Sequence, residues 1–387
     1  MQNPPVNPPV TSPVKPPATS PVISPMRILL LQDYLRNGGT ERQTILLANA
    51  LTTAGCEATV LTFRPGGALA TTAAAAVGRR VLQRFDTGLD WFAPGLCRAI
   101  AEIAPDILLC MGRMANCYAG FAARRFPALP VICTMRTGKQ LPLLYRRSLC
   151  LAAGIVANSQ FAAQTLSRDY GVAPEKIAVI HNAPVFEAEV VVAAAPLSPS
   201  PPPPLPPTLL CVAMFRPEKA HAALLEAAAL LPRDRAWRLV LAGDGPARAA
   251  CQRLAQKLGL AGRVEFPGFL ADPRLLYREA TVAVLASRSE SLPNFLVEAH
   301  LSGVPSVACE VGGVAECGGI TVPSGDIQGL AAEAAALLFD NARRAAESRR
   351  VAEYARLHFS REAQLAAYLA FFQRCSGAFR RSADASS

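Results

Sequence analysis

At 387 residues the chain is long enough for two domains, each with a sound core of its own, and its 51% hydrophobic and 18% charged residues mark it as globular. No window reaches the roughly 18 uninterrupted apolar residues that a spanning helix needs, so no segment reads as a membrane span. The net charge of +10 is uneven: 17 basic against 11 acidic residues from Arg27 to Val192, but 21 against 18 from Thr208 onward.

Residues 1–25, MQNPPVNPPVTSPVKPPATSPVISP, lack the charged start, apolar core and cleavage site of a signal peptide and read as a disordered proline-rich tail. The first domain is expected over 26–192. RILLL (Arg27 to Leu31) opens it as a buried strand, and Thr44 to Ala54 follow as a helix. Between them lies Asn37-Gly38-Gly39-Thr40-Glu41-Arg42. Paired glycines at such a turn let the backbone approach a ligand and leave amides free for phosphate oxygens, although no GK[ST] follows, so it is not a P-loop. Onward to Ala183, the short apolar strands ATVLTF, DILLCMG, PVICTM, GIVANS and KIAVIHN alternate with amphipathic helices near Phe92 to Ile103, Cys117 to Phe126, Leu143 to Ala153 and Gln160 to Tyr170. That alternation predicts a parallel sheet covered on both faces. The Arg79-Arg80, Arg124-Arg125 and Arg146-Arg147 pairs make this lobe the more basic one. They could be a plain solvated face or could attract anionic lipid, a phosphorylated acceptor or nucleic acid, the last disfavoured by an aromatic content of only 6% with no interleaved stacking residues.

Residues 193–207, AAAPLSPSPPPPLPP, suit a stiff extended linker, and 208–376 form the second domain, with 377–387 a disordered tail. TLLCVAMF is its first strand, followed by Arg216-Pro217-Glu218-Lys219 and a helix from Ala220 to Leu231. Two cations at a strand's carboxyl end and a helix start, where a lone cation is disfavoured, are placed to neutralise a diphosphate. WRLVLAGDGP, a helix from Ala247 to Leu258, and RVEFPGF come next; Gly243 and Gly245 form only a loose GxG. The strand TVAVLAS leads into a loop with Glu290, then Pro293, Asn294 and the helix FLVEAHLSG carrying Glu298; VPSVACE and Gly312-Gly313 follow. Two carboxylates eight positions apart can both face the strand ends and accept hydrogen bonds from hydroxyls, or be surface acids of an ordinary helix. A short strand, Gly318 to Pro323, and helical stretches Asp326 to Arg349 and Arg361 to Arg374 are expected to pack the chain's end back toward the first lobe.

Eleven cysteines are scattered singly with apolar flanks and no CxxC, which suits core residues in a reducing cytoplasm. The four histidines form no ligand pattern and no DxD pair occurs, so no metal is expected.

The ordered set E-S-L-P-N-F-L-V-E-A, G-V-P-S-V-A and G-G-V-A-E, with R-P-E-K and the early glycine pair, resembles the donor-site signature of the retaining family 4 glycosyltransferases with the GT-B fold, across most of Arg27 to Pro323. The resemblance implies an α/β protein of two Rossmann-like lobes facing a central cleft. It implies transfer, with retention, of a hexose-type sugar from a nucleotide diphosphate donor to a glycan, lipid-linked or other cell-envelope acceptor held by the first lobe, in the cytoplasm or at the membrane's inner face. Arg216 and Lys219, with amides near Gly38 and Gly39, would stabilise the departing diphosphate. Glu298 would hold the ribose, Glu290 with the backbone of Ser291, Leu292, Pro293, Asn294 and Phe295 the sugar, and the loops of Gly243 and Phe269 the base. Two positions depart from the pattern: Ala220 stands where glycine is usual, and Arg136 where a sugar-contacting histidine is common, which puts the donor sugar in question. An epimerase or phosphorylase of the same fold, or a non-catalytic sugar-nucleotide binder, are the alternatives.

Overall fold

A computed structural model of the protein describes residues 25–184, 206–270 and 272–384; the proline-rich stretches 1–24 and 185–205, and with them most of the expected tail and linker, lie outside the described residues. The first lobe is built in the order β1 (Arg27–Gln32), α1 (Gly39–Thr53), β2 (Glu57–Thr62), β3 (Gly78–Val81), α2 (Leu96–Ile103), β4 (Ile107–Cys110), α3 (Arg113–Arg125), β5 (Val131–Met135), α4 (Leu143–Leu151), β6 (Gly154–Ala157), α5 (Gln160–Tyr170) and β7 (Ile177–Val179). Its seven strands are all parallel, in the order β3-β2-β1-β4-β5-β6-β7.

Side chains of successive strand residues point to opposite faces, and the core divides accordingly. Leu29 and Leu31 of β1 pack with Ile100, Ala119, Leu149 and Leu166 from α2, α3, α4 and α5. Ile28 and Leu30 pack on the other face with Leu47 and Leu51 of α1. Near-continuous apolar strands such as ILLC at β4, fully buried, are what a sheet covered twice requires.

The second lobe repeats the plan with β8 (Thr208–Val212), α6 (His221–Ala229), β9 (Arg238–Ala242), α7 (Arg248–Lys257), β10 (Val264–Gly268), α8 (Arg274–Glu279), β11 (Val282–Leu285), α9 (Asn294–Leu301), β12 (Ser306–Cys309), β13 (Ile320–Val322), α10 (Ile327–Phe339), α11 (Asn341–His358) and α12 (Arg361–Asp384). Its six parallel strands run β10-β9-β8-β11-β12-β13. Each sheet reverses its winding direction once, at β1/β4 and at β8/β11, and the crevice outside the strand ends at such a switch point is where open α/β sheets bind ligands.

The last helix belongs to the first lobe by packing. Tyr368, Phe371, Phe372 and Cys375 of α12 are buried against Ile28, Ile107 and Ile132. Each large apolar side chain so removed from water contributes about 1.5–3 kcal/mol, enough to hold the crossing in place.

Several expectations are corrected. The strand β3 was not anticipated because three of its four residues are exposed at the sheet edge, which erases the apolar signal. The helical stretch from Asp326 to Arg349 is two helices, because the Asp340 carboxylate accepts the Arg343 amide at 2.9 Å and starts α11 anew. The final helix continues through 377–384, where a disordered tail was expected: CSGAFRRSAD offers only one helix breaker to a helix already anchored by its aromatic face. All eleven cysteines are free, and all but Cys56, Cys97 and Cys150 are buried. Among the described residues no helix is long and apolar enough to cross a membrane.

Candidate functional site

After β8 the chain makes a single 3-10 turn, Pro217–Lys219, and turns back through Ala220 at φ +47° and ψ +42°. Only the left-handed region turns this sharply into α6, which explains why glycine suits the position and why alanine there is strained. The turn aims Lys219 at the loop after β11, where Lys219 Nζ donates to Glu290 Oε1 at 2.6 Å. Ser287 Oγ donates to the same oxygen at 2.6 Å. Glu290 is 8% exposed, so its charge is held by a matched partner rather than by water. The two loops are also sewn by the backbone, Arg288 donating to the Glu218 carbonyl at 2.8 Å.

Glu298, on α9, is buried too and accepts a 2.7 Å hydrogen bond from the Tyr277 hydroxyl on α8. Burial pushes its carboxyl up to about 7, against the smaller downward pull of Tyr277 and of the Arg42 charge from the first lobe. Arg42 is itself oriented by Asn37 Oδ1 at 2.7 Å. Leu292 and Phe295 point into the second lobe's core, Phe295 stacked on Tyr277 at 6.1 Å, so only their backbone can serve a ligand. Pro293 precedes α9 without a side-chain cap, which leaves the first-turn amides of Asn294 and Phe295 available.

The first lobe meets this cradle directly. A Cβ on Gly39 would lie 3.1 Å from Asn294 Nδ2, so the glycine pair at the start of α1 abuts the start of α9. Asn182 Nδ2 donates to Asn294 Oδ1 at 2.7 Å, and Ser291 Oγ to Asn158 Oδ1 at 2.5 Å. Lys139 and Glu218 pair at 2.9 Å, and Gly138 lies against Ser289 and the Glu290 carbonyl. Gly312 and Gly313 let their backbone press on the carbonyls of Glu290 and Ser291, positions where any Cβ would collide. Deeper in the first lobe, Asp33 anchors the loop after β1 by accepting the Met114 and Ala115 amides at the start of α3, and burial raises its carboxyl to about 6.

Arg216 is exposed; burial raises the carboxyl of Glu41, against the smaller downward pull of the Arg36 and Arg216 charges. The Glu41 carboxylate in turn folds over Gly38. Arg136 donates to Asn182 Oδ1 and to Tyr368 OH, at 2.5 Å each, and so joins the same network.

Of the residues singled out from the sequence, Lys219, Glu290, Ser291, Asn294, Gly39 and Arg136 form one connected cluster. Gly243 and Phe269 follow the neighbouring strands β9 and β10, with Gly243 packed on Ala213 just before the Arg216 turn. The Gly243 amide is taken by the Gly268 carbonyl at 2.8 Å, and its φ of +137° lets β9 close on the Ala213 carbonyl, so its own contribution is to backbone packing. Phe269 is 48% exposed on the loop after β10.

Tyr277, Ser287, Arg42, Asn158, Asn182 and Glu316 were missed. Glu316, just after the second glycine pair, accepts the Gln160 and Phe161 amides at 2.7 and 2.9 Å, capping α5 from the other lobe, with His181 Nε2 at 3.4 Å. Burial raises its carboxyl, but His181 and the two amides outweigh this and leave it lowered. Tyr277 could have been found as the aromatic member of the apolar face in RLLYRE, and Ser287 and Arg42 by their nearness to Glu290 and Asn37; Asn158, Asn182 and Glu316 pair across long sequence separations.

Residues 37–183 match the sequence model described as Glycosyltransferase Family 4, and residues 206–340 match that of the Glycosyl transferases group 1. A lipopolysaccharide core biosynthesis glycosyltransferase, LpsE of Rhizobium meliloti, is 33% identical over 168 residues, 42% of this chain and 48% of the relative. The Vi polysaccharide biosynthesis protein VipC/TviE of Salmonella typhi is 43% identical over 91 residues, 24% of this chain and 16% of the relative. The matches thus span less than half the length of either relative. The solved structure of Anabaena HepE with UDP and glucose superposes with a TM-score of 0.75 at 22% identity, covering 90% of this chain and all of that one. The fold is therefore GT-B, two parallel-sheet Rossmann-like domains, and each lobe matches a glycosyltransferase sequence model.

Proposed function

We propose that the protein transfers a hexose-type sugar, with retention of configuration, from a nucleotide diphosphate sugar to a glycan or lipid-linked acceptor of the cell envelope. The observation that carries this reading is that Lys219, Glu290, the α9 amides and the Gly38-Gly39 turn lie where the two lobes meet. A cation fixed by a buried acid, beside free helix-start amides, stabilises charge developing on a phosphate leaving group without reorganisation at the moment of reaction.

In this reading Arg216 and Lys219 take the diphosphate with the amides near Gly38 and Gly39. Glu290 and the backbone of Ser291 to Phe295 hold the transferred sugar, while Glu298 holds the ribose. The relatives named for polysaccharide and lipopolysaccharide biosynthesis, and a structural neighbour solved with UDP and glucose, support a nucleotide sugar donor and an envelope acceptor. The basic first lobe, with exposed Arg79 and Arg80 on β3, would meet an anionic acceptor or the inner membrane surface.

The test is product analysis with a panel of nucleotide sugars and lipid-linked or glycan acceptors, reading the anomeric configuration of the new bond. Transfer that requires acceptor, and that is lost in Lys219→Ala and Glu298→Ala, is the expected result. Conversion of the donor without acceptor, or only with free phosphate, would instead identify an epimerase or a phosphorylase.

A further inference from the structure

Arg136 follows β5 directly, half-buried, on the loop whose Gly138 lies against Ser289 and the Glu290 carbonyl of the other lobe. Its terminal nitrogens donate to two neutral groups, Asn182 Oδ1 and the Tyr368 hydroxyl, and its Nε is buried with no partner. Among the described residues no carboxylate stands within ion-pair distance of it. Both partners are themselves buried, so the guanidinium is held in one orientation. Asn182 also donates to Asn294, the first residue of α9, which puts Arg136 one side chain away from the cradle assigned to the transferred sugar.

A partly buried cation without a counter-ion is costly, and neutral hydrogen-bond partners repay only part of that cost. Two of five N–H groups are engaged, and the planar fork matches a carboxylate in two-point contact. Its contacts lead to α9 and the Glu290 loop, hence to the sugar of the donor.

We infer that Arg136 reads a carboxylate on the transferred sugar, so that the donor is a nucleotide-linked uronate rather than a neutral hexose. This rests on the nucleotide-sugar reading above and specifies its substrate class.

The experiment compares affinities by calorimetry for matched pairs, UDP-glucuronate against UDP-glucose and GDP-mannuronate against GDP-mannose, with UDP and GDP alone as controls. It uses the full chain and its Arg136→Gln and Arg136→Lys variants. For the base the protein accepts, the uronate should bind about tenfold or more tightly than the neutral sugar, the scale of one charge-assisted contact. Arg136→Gln should abolish that ratio and Arg136→Lys retain part of it. The ratio is taken within each variant, so a smaller folded fraction does not imitate the effect. Equal or weaker binding of uronates by the wild type, unchanged in the variants, overturns the inference while nucleotide binding still upholds the transferase reading. Variants that keep the donor ratio but raise the KM for acceptor assign the anion to the acceptor and also overturn it. Absence of binding by every nucleotide ligand removes the transferase reading itself, and this inference with it.

Discussion

Lys219 and Glu290, 71 positions apart in sequence, meet at 2.6 Å and form an ion pair whose acid is buried and whose base keeps a quarter of its side chain exposed. The sequence assigns them separate tasks, one to the diphosphate and the other to the sugar; in the fold each fixes the other. The pair therefore couples the diphosphate and the sugar of the proposed donor.

Lys219→Met should lower kcat by about 10²–10³-fold, the usual effect of losing one preorganised charge at a developing anion. It should also destabilise the fold by about 1–3 kcal/mol, because Glu290 is left buried beside only Ser287. In the double variant with Glu290→Gln the stability loss should be smaller than the sum of the singles, with a coupling of about 0.5–3 kcal/mol in denaturant titrations.

Glu298 makes stability depend on pH. Its carboxyl ionises near 7 in the native state against an ordinary 4.5, so the native protein holds a proton that the unfolded chain releases. Native stability should fall as pH rises from about 4.5 to about 7 and level off above. Buried His221 and His300, lowered to about 4, push the other way between pH 4 and 6.5, so the comparison must be against a variant. Glu298→Gln, which keeps an acceptor for Tyr277, should equal the wild type at pH 4.5 and exceed it by about 1–3 kcal/mol at pH 8, while losing nucleotide affinity.

Ala220 occupies the left-handed region at φ +47°. Ala220→Gly should raise stability by about 0.5–1 kcal/mol, since relief of the side-chain clash exceeds the entropy glycine adds to the unfolded chain. A calorimetric melting temperature below the wild type would show that the turn is not strained.

Glu316 ties the lobes by accepting two amides at the start of α5. Glu316→Ala should cost about 0.5–2 kcal/mol, the scale of a lost cap, and should loosen closure. Donor KM should rise with little change in the circular dichroism spectrum, and small-angle scattering should show a wider molecule.

The alternation of apolar runs and amphipathic stretches made both parallel sheets legible, because a doubly covered sheet demands buried strands whatever lies on top of it. The glycine pair, the R-P-E-K turn and the two acids after β11 were legible because each is a local feature at a strand's end. The contacts between lobes were not. Asn158 with Ser291, Asn182 with Asn294, and Glu316 with α5 join positions more than 100 residues apart, and nothing local marks an asparagine that faces another lobe. The same holds for Arg136, recognisable as a departure but not as a guanidinium lodged between Asn182 and the Tyr368 of a helix from the far end of the chain.

The most direct measurement is the melting temperature of the purified protein across a panel of nucleoside diphosphates and their sugars. A ligand held between the lobes at a hundred times its Kd adds about 2.7 kcal/mol to the folded state, so at least one nucleotide should raise the midpoint by several degrees, and by much less in Lys219→Met. If no nucleotide shifts the wild-type midpoint, or if the variant responds as strongly as the wild type, the cleft is not the nucleotide-sugar site described above.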